Sequence, residues 1–366
     1  MSKIEEIDKN FNVTSQLTEK DIEFFDVKQM QFMMYGAAQM DDNGIYRLPK
    51  SIAGSISKGV DTLTSNTAGV RVRFKTNSDY IAIVAEYSNI SKFSHMTLTG
   101  SAGFDMYVYE NEDYELVKAF VPPVGLKDCY SSEHYFDCSK MRDITINLPL
   151  YSSVKTLKIG LKRNSELQKS ENYINSKPIV YYGSSITQGG CASRPGMTYE
   201  SIISRKFNCD YINLGFSGSA MGETKMAEYI SHLDMCCMVY DYDHNAPTAQ
   251  HLAKTHKQMY EIIRKNNPEL PIIIASMPWH DKNCCNWTKE RRAVIINTYN
   301  KAIDAGDKNV YFVDGMKYYE SYGMSNCTID GCHPNDLGFW AMANEFIKVI
   351  EKARFFECIK FQYRLL

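Results

Sequence analysis

The first part of the chain is built from short runs in which hydrophobic and polar residues alternate, over about residues 36–162. In VRVRF, Val70, Val72 and Phe74 fall on one face of an extended strand and both arginines fall on the other. The predicted strands are VRVRFKT (70–76), YIAIVAEY (80–87), HMTLTG (95–100), GFDMYVYE (103–110), DITINLP (143–149) and TLKIGLK (156–162). Repeated short strands separated by turns predict a β-sandwich domain, jelly-roll-like, over residues 1–165.

The second part of the chain follows a polar stretch, KRNSELQKSENYINSK (162–177), and alternates buried strands with helical spacing. The predicted strands are PIVYYG (178–183), DYINLGF (210–216), CCMVYDY (236–242), PIIIASM (271–277) and VYFVDG (310–315). A last helix, from about Asn335, is expected to carry on one stripe Trp340, Ala343, Ile347 and Ile350. Five such units predict a flavodoxin-like α/β domain with a five-stranded parallel sheet over 175–354, followed by a tail at 355–366.

Composition and charge exclude several classes of protein. The 366 residues are 44% hydrophobic and 23% charged with a net charge of -2, so no basic field for nucleic acid is expected. The start, MSKIEEIDKN, lacks an apolar signal segment, and nowhere do about 18 apolar residues run together. We therefore expect a cytoplasmic protein without a membrane partner, whose eleven cysteines, lacking any CxxC, are reduced.

A candidate nucleophile lies at the end of the first strand of the second part, in GSSITQGG. Gly183 permits a sharp exit from the strand, and Ser184 or Ser185 opens the following turn, where hydroxyls and N–H groups are exposed. Such a serine needs a base that is oriented by a third group. DGCHPND supplies both, because Asp330 and His333 lie three residues apart, just before the last helix.

Candidate oxyanion donors follow the next two strands. Gly218 comes after the second strand in NLGFSGS, and Asn245 comes after the third in DYDHNAP. The carboxyl ends of parallel strands meet at one edge of the sheet, so these residues are expected near the serine. Backbone N–H groups and a side-chain amide are the donors that stabilise a developing oxyanion. Each residue also has a purely structural alternative. Gly218 would satisfy a turn that requires a positive φ, and Asn245 would only form a turn.

The ordered set resembles the SGNH or GDSL hydrolase family, whose four blocks carry Ser, Gly, Asn and His in that order. They correspond here to GSSIT, FSGS, DHNA and DGCHP. The resemblance implies a serine esterase with Ser185 as nucleophile, His333 as base and Asp330 as its acid. It also implies an oxyanion hole formed by Ser185, Gly218 and Asn245. The usual GDS reads GSS here, which keeps Ser184 as an alternative nucleophile, and the GxND block reads DHNA.

One branch of that family is a closer resemblance, because its β-rich N-terminal domain carries a GxDLY signature and this chain has GFDMY at 103–107. Members of the branch are esterases, and several of them resemble carbohydrate acetylesterases. The implied substrate is a small acylated molecule, an acetylated oligosaccharide, hydrolysed without a cofactor. The eight histidines show no metal-ligand spacing such as HExxH, so no metal is expected. The alternatives are a general short-chain esterase, a lipid acylhydrolase, or a noncatalytic glycan-binding protein.

Substrate contacts are predicted from position alone. Trp279 and His280 follow the fourth strand in SMPWHD, where an aromatic ring suits a sugar face, although plain packing is the alternative. Arg194, in the loop CASRPGM after the nucleophile, is a candidate pocket wall or a solvated charge. In GFDMY, Asp105 and Tyr107 are expected in a buried strand, with a glycan contact as the alternative. The sequence does not indicate the oligomeric state.

Overall fold

The computed structural model describes residues 4–8, 12–13, 15–278, 286–354 and 356. These residues form two compact units. Unit 1 takes its residues from Met1–Lys50, Thr62–Glu171 and Cys191–Gly196, and unit 2 from Ser51–Asp61, Asn172–Gly190 and Met197–Leu366. The domain bounds 1–165 and 175–354 stay predictions, and the units depart from them in the short segments 51–61 and 191–196.

The strands of the first part of the chain are β1 (Ile22–Asp26), β2 (Met33–Tyr35), β3 (Gln39–Asp41), β4 (Gly44–Tyr46), β5 (Arg71–Thr76), β6 (Tyr80–Asn89), β7 (Phe104–Glu110), β8 (Asp113–Phe120), β9 (Cys129–Tyr135), β10 (Arg142–Asn147), β11 (Ser153–Lys162) and β12 (Leu167–Gln168). Its helices are α1 (Ile4–Ile7), α2 (Lys50–Ile56), α3 (Lys58–Leu63) and α4 (Leu98–Ala102).

Unit 1 is built on antiparallel sheets. One has the strand order β1-β11-β6-β9, and the other has the order β12-β5-β10-β7-β8 with β2 also paired to β5. Alternate residues of both sheets enter one apolar cluster, in which Val72 and Phe74 of β5 and Ile81 and Ile83 of β6 are fully buried. The predicted antiparallel β-rich N-terminal region is therefore confirmed, whereas the jelly-roll connectivity stays a prediction.

The strand predicted over 95–100 is wrong. Thr97 is the N-cap of α4, and its hydroxyl oxygen accepts a hydrogen bond from the Gly100 N–H at 3.1 Å. A threonine that satisfies an orphan N–H at a helix start stabilises the helix, by about 1 kcal/mol in typical cases. The local cap therefore overrides the weak strand preference of this short run.

The strands of the second part are β13 (Asn175–Gly183), β14 (Cys209–Gly215), β15 (Cys237–Asp241), β16 (Ile272–Ala275) and β17 (Val310–Val313). Its helices are α5 (Ser185–Gln188), α6 (Tyr199–Phe207), α7 (Thr224–Ser231), α8 (Ala249–Asn266), α9 (Asn286–Asp304), α10 (Met324–Cys327) and α11 (Asp336–Ala353). None of the helices within the described ranges is long and apolar enough to cross a membrane.

The five strands of unit 2 form one parallel sheet in the order β14-β13-β15-β16-β17, which confirms the predicted flavodoxin-like arrangement. The strands β16 (IIIA) and β17 (VYFV) are continuous apolar runs, as is typical of a parallel sheet that is covered by helices on both faces. The strand order reverses between β13 and β15, where Gly183 pairs with Asp241. In this fold the crevice at such a switch point, beyond the carboxyl ends of the strands, is where ligands bind.

The stripe predicted on the last helix is right for Ala343 and Ile350, which are buried, and wrong for Trp340 and Ile347. Trp340 is 47% exposed and Ile347 is only partly buried. The buried positions of α11 include Phe339, Met342, Ala343, Phe346 and Ile350. One residue along a helix is a rotation of about 100°, so a stripe that starts at Phe339 places Trp340 beside the core rather than in it. The predicted start is nearly right, since Asn335 caps α11 by accepting the Gly338 N–H at 3.0 Å.

Candidate active site

The candidate nucleophile occupies the sharp turn between β13 and α5. Ser184 is the N-cap of α5, and its hydroxyl accepts the Ile186 N–H at 3.2 Å. Ser185 is therefore the first helical residue, with 7% of its surface exposed. Gly189 ends the helix with a φ of 98°, and the Gly190 N–H donates to the Ser185 carbonyl at 2.7 Å. The two serines thus have different positions, one capping the helix and the other at its first turn.

His333 and Asp330 come together in a tight turn before α11. The Ser185 Oγ lies 2.9 Å from His333 Nε2, and His333 Nδ1 lies 2.8 Å from an Asp330 carboxylate oxygen. The other oxygen of Asp330 accepts the N–H groups of Cys332 and His333 at 2.9 and 2.7 Å. Gly331 has a φ of 82°, which a glycine adopts without steric cost and which lets the turn close. The structure thus places the three predicted residues in one hydrogen-bonded chain.

The charge of Asp330 is strongly stabilised. Burial raises its pKa, but the hydrogen bonds from the His333 ring and from the two backbone N–H groups outweigh burial and lower the pKa to about 2. The carboxylate is therefore ionised near neutral pH. An ionised carboxylate favours the tautomer with a proton on Nδ1 of His333, which leaves the lone pair on Nε2 facing the serine hydroxyl.

Gly218 lies in a turn that is closed by hydrogen bonds to the carbonyl of Phe216. That oxygen accepts the N–H groups of Ser219 and Ala220 at 2.9 and 3.1 Å, and the Phe216 N–H donates to the Gly183 carbonyl at 2.9 Å. Gly218 has a φ of 65°, and a side chain built on it would meet nothing within 4 Å. The space on the side of Gly218 where a side chain would stand is therefore open.

Asn245 joins the same turn. Its side-chain amide donates to the Phe216 carbonyl at 2.9 Å, which leaves a second amide hydrogen for another acceptor. Gln188 of α5, which is fully buried, also binds the turn, because its Oε1 accepts the Ser217 N–H at 2.9 Å. The sequence reading missed Gln188, although its place in GSSITQGG, three residues after Ser185, was a usable signal.

The loop that carries Asn245 is fixed by buried charge. The Arg291 guanidinium donates to the carbonyls of Asp243 and Ala246 at 3.2 and 2.6 Å, and an Asp243 carboxylate oxygen accepts the Met277 N–H at 3.0 Å. Burial raises the pKa of Asp243 to about 6. These contacts come from distant parts of the chain and set the position of the loop after β15.

A second buried carboxyl lies beneath the nucleophile turn. Asp241 at the end of β15 accepts hydrogen bonds from the Thr187 hydroxyl of α5 and, at 3.2 Å, from the Tyr199 hydroxyl. A Cβ at Gly183 would overlap the Asp241 carboxylate, so the glycine is required here by close approach. Burial raises the pKa of Asp241 to about 7 from an ordinary value of 3.8.

This raised pKa predicts a pH dependence of stability. Between about pH 4 and pH 7 the folded state retains a proton on Asp241 that the unfolded chain loses, so the free energy of unfolding falls as pH rises. Each pKa unit corresponds to about 1.4 kcal/mol. We expect Asp241→Asn to lack this contribution and to gain stability relative to the wild type between pH 5 and pH 7.5. Urea unfolding at both pH values measures it, and parallel pH dependences would contradict the raised pKa.

His244 and Cys332 touch beside the hydrogen-bonded chain, with His244 Nε2 2.9 Å from the Cys332 sulfur. Burial, followed by the nearby His333 and Arg291, lowers the pKa of His244 to about 4, and burial raises the pKa of the Cys332 thiol to about 11. His244 is therefore neutral near pH 7. Within the described residues of unit 2, Asp330, Cys332 and His333 offer possible metal-ligand atoms within 4.8 Å of one another. The absence of a metal stays a prediction.

The predicted substrate contacts are only partly described. Trp279 and His280 lie outside the described residues. Arg194 belongs to unit 1, where its guanidinium donates to the buried Asp105 carboxylate at 2.9 Å and to the Tyr107 hydroxyl. The same carboxylate accepts the Gly196 N–H at 2.7 Å and the Asn147 amide at 2.7 Å. GFDMY thus lies in a buried strand, as expected, and holds the loop 191–196.

The matches to family models define first a class of protein and then a branch within it. A model of the GDSL-like lipase/acylhydrolase family matches residues 176–351, and a GxDLY model, described as the N-terminus of SGNH-type esterases, matches residues 22–167. Together they leave only the termini and a short joining segment unmatched. The chain belongs to the SGNH or GDSL-type hydrolases. Within them it falls in the branch with an N-terminal GxDLY domain.

Several solved structures share this fold. A candidate GDSL-like lipase from Bacteroides ovatus is 25% identical with a TM-score of 0.82, and the match covers 91% of this chain and 98% of the other. A salicylyl-acyltransferase from a tetracycline biosynthetic pathway is 18% identical with a TM-score of 0.74 and the same coverages. A family two carbohydrate esterase from Clostridium thermocellum, in complex with cellohexaose, is 15% identical with a TM-score of 0.56, covering 88% and 98%. No curated protein matches the chain.

Proposed function

We propose that this protein is a serine esterase that hydrolyses short-chain acyl esters, acetyl esters on carbohydrates above all. The observation that carries the proposal is the hydrogen-bonded chain from the Ser185 hydroxyl through the His333 ring to the Asp330 carboxylate. Serine hydroxyls are poor nucleophiles at their own pKa, and this arrangement is the one that activates them. Ser185 is the proposed nucleophile because Ser184 is occupied as the helix cap.

In the first half of the reaction, the Ser185 Oγ attacks the ester carbonyl carbon while His333 Nε2 takes the hydroxyl proton. The negative charge that develops on the carbonyl oxygen is held by the N–H groups of Ser185 and Gly218 and by the Asn245 amide. Asp330 stabilises the imidazolium and keeps its orientation. The bond to the leaving alcohol then breaks, and that oxygen receives the proton from His333, which leaves an acyl-enzyme.

In the second half, a water molecule attacks the acyl-enzyme carbonyl while His333 again takes a proton. The tetrahedral intermediate uses the same three donors, and its collapse releases the carboxylic acid and returns the proton to Ser185. The buried supports around the site, Gln188 and Arg291, hold these donors before substrate binds. Donors held in advance stabilise the transition state without reorganisation.

The carbohydrate substrate rests on analogy of fold. Among the structures with this fold, the Clostridium thermocellum carbohydrate esterase holds cellohexaose. An acetyl xylan esterase from the rumen bacterium Butyrivibrio proteoclasticus is 14% identical with a TM-score of 0.56, covering 92% of this chain and all of its own. Fold analogy narrows the candidates but does not define a substrate, so the sugar needs a direct test.

The test is acetate release from p-nitrophenyl acetate and from acetylated xylan or mannan oligosaccharides, with Ser185→Ala as the control. We expect serine-dependent release from the oligosaccharides at a kcat/KM well above that of the small ester. Release only from p-nitrophenyl esters, or a preference for long acyl chains, would instead indicate a general esterase or a lipid acylhydrolase. Oligosaccharide binding without release from any ester would indicate a glycan-binding protein and contradict the proposed activity.

A further inference from the structure

The helix α3 stands directly against the turn that carries Gly218. Gly59 in α3 faces Ser219, the residue after Gly218, and both belong to unit 2. A methyl group built on Gly59 would lie 2.9 Å from the Ser219 Cβ and nearer still to its Oγ. Carbon atoms in contact normally stand about 3.5 to 4.0 Å apart. Rotation of the Ser219 side chain moves Oγ away but leaves Cβ in place, so only backbone movement relieves the overlap.

The turn has little freedom to move without disturbing the oxyanion donors. The Ser219 N–H is bonded to the Phe216 carbonyl, and the same oxygen accepts the Asn245 amide. Gly218 lies between these two anchor points with a φ of 65°. A displacement of Ser219 therefore tilts the peptide groups on either side of Gly218 and moves the acceptor that positions Asn245.

The helix side of this contact is also fixed. The Ser57 hydroxyl accepts the Val60 N–H at 3.2 Å and its carbonyl accepts the Asp61 N–H at 3.0 Å, which closes the first turn of α3. Val60, next to Gly59, is fully buried. A side chain at Gly59 would therefore push the helix and the turn apart. Because neither is free to move without breaking its own hydrogen bonds, both backbones would be displaced.

We propose that Gly59 is a positioning residue of the esterase, whose missing side chain lets α3 set the place of the Gly218 N–H and the Asn245 amide. The inference rests on the proposed function and names a residue that is distant in the sequence from the four family blocks. Oxyanion donors must lie within about 2.7 to 3.1 Å of the developing charge. A misplacement of about 1 Å can cost about 10²-fold in rate.

The test compares four variants on p-nitrophenyl acetate: Gly59→Ala, Gly54→Ala, Ser219→Gly, and Gly59→Ala combined with Ser219→Gly. Gly54 in α2 is the matched control, since a methyl group there would stand 3.7 Å from its nearest neighbour, an ordinary contact. We expect Gly59→Ala to lower kcat about tenfold or more while KM changes less than about threefold. Affinity for a trifluoromethyl ketone, which forms an oxyanion on the nucleophile, should fall in parallel with kcat.

The double variant separates positioning from a general effect on the helix. Alanine is a better helix former than glycine, so a purely helical effect would raise the thermal unfolding temperature and leave activity intact. Ser219→Gly removes the two atoms that the new methyl would overlap and leaves only an ordinary contact with the Ser57 hydroxyl at 4.0 Å. We expect Gly59→Ala to cost little in that background, whether or not the single variant folds well. An equal loss in both backgrounds, or full activity of a folded Gly59→Ala, would overturn the proposal.

The proposed function can fail separately. A wild-type protein without any serine-dependent ester hydrolysis would refute the esterase and, with it, the role of Gly59. Normal wild-type hydrolysis with unchanged trifluoromethyl ketone affinity in Gly59→Ala would refute the positioning role alone.

Discussion

Ser185→Ala is expected to lower kcat on p-nitrophenyl acetate by about 10⁵- to 10⁶-fold, which is the scale at which serine hydrolases lose turnover with their nucleophile. The reason is that the hydroxyl 2.9 Å from His333 Nε2 is the proposed site of the covalent intermediate. Steady-state rates of the purified variant measure the loss. Circular dichroism and the unfolding temperature establish that the variant is folded.

Ser184→Ala is the matched control, since it removes a hydroxyl one residue away. Its hydroxyl caps α5, so we expect a loss of about 1 kcal/mol of stability and only a small change in kcat. If Ser184→Ala abolished turnover and Ser185→Ala retained it, the assignment of the nucleophile would be reversed.

Asp330→Asn is expected to lower kcat by about 10⁴-fold, as in serine proteases in which this carboxylate becomes an amide. The Asp330 carboxylate accepts hydrogen bonds from the His333 ring and from two backbone N–H groups. An amide retains one acceptor oxygen but turns an N–H group toward His333 Nδ1. The ring is then driven to the tautomer that carries its proton on Nε2 and cannot take the proton of Ser185.

The control for Asp330→Asn is Asp336→Asn, the same change of charge in the first turn of α11. We expect less than about a threefold change in kcat for the control. Comparable losses in both variants would mean that net negative charge near the helix start matters, rather than the bond to His333. Rates of Asp330→Asn measured between pH 5 and pH 9 also show whether the activity of this variant returns at high pH.

The sequence was sufficient for the parts of the fold that follow from local pattern. Continuous apolar runs such as PIVYYG predict the strands of the parallel sheet, because such strands are buried on both faces. The candidate site followed from the same reasoning, since Ser185, Gly218, Asn245 and His333 each stand just beyond a strand end or before the last helix. Where a single capping residue decided the outcome, as Thr97 did, the pattern failed.

The remaining features depend on proximity between distant segments, which no local pattern encodes. Gly59 and Ser219 are 160 positions apart, and Asp241 meets Thr187 across the strand pair β13 and β15. A linear division at residue 165 assigns Gly59 to the first domain, whereas its contacts place it in unit 2. Removing residues 1–165 would therefore take away part of the support of the Gly218 turn as well as the β-rich region.

The most direct test of the central claim is covalent labelling with a serine-reactive phosphonate, followed by mass-spectrometric mapping of the adduct. The phosphonate reports activation of the nucleophile and does not depend on knowing the natural substrate. We predict a single adduct on Ser185 in the wild type and in Ser184→Ala, slow labelling in Asp330→Asn, and no adduct in Ser185→Ala. An adduct on Ser184, or a folded wild-type protein that leaves Ser185 unlabelled, would contradict the account.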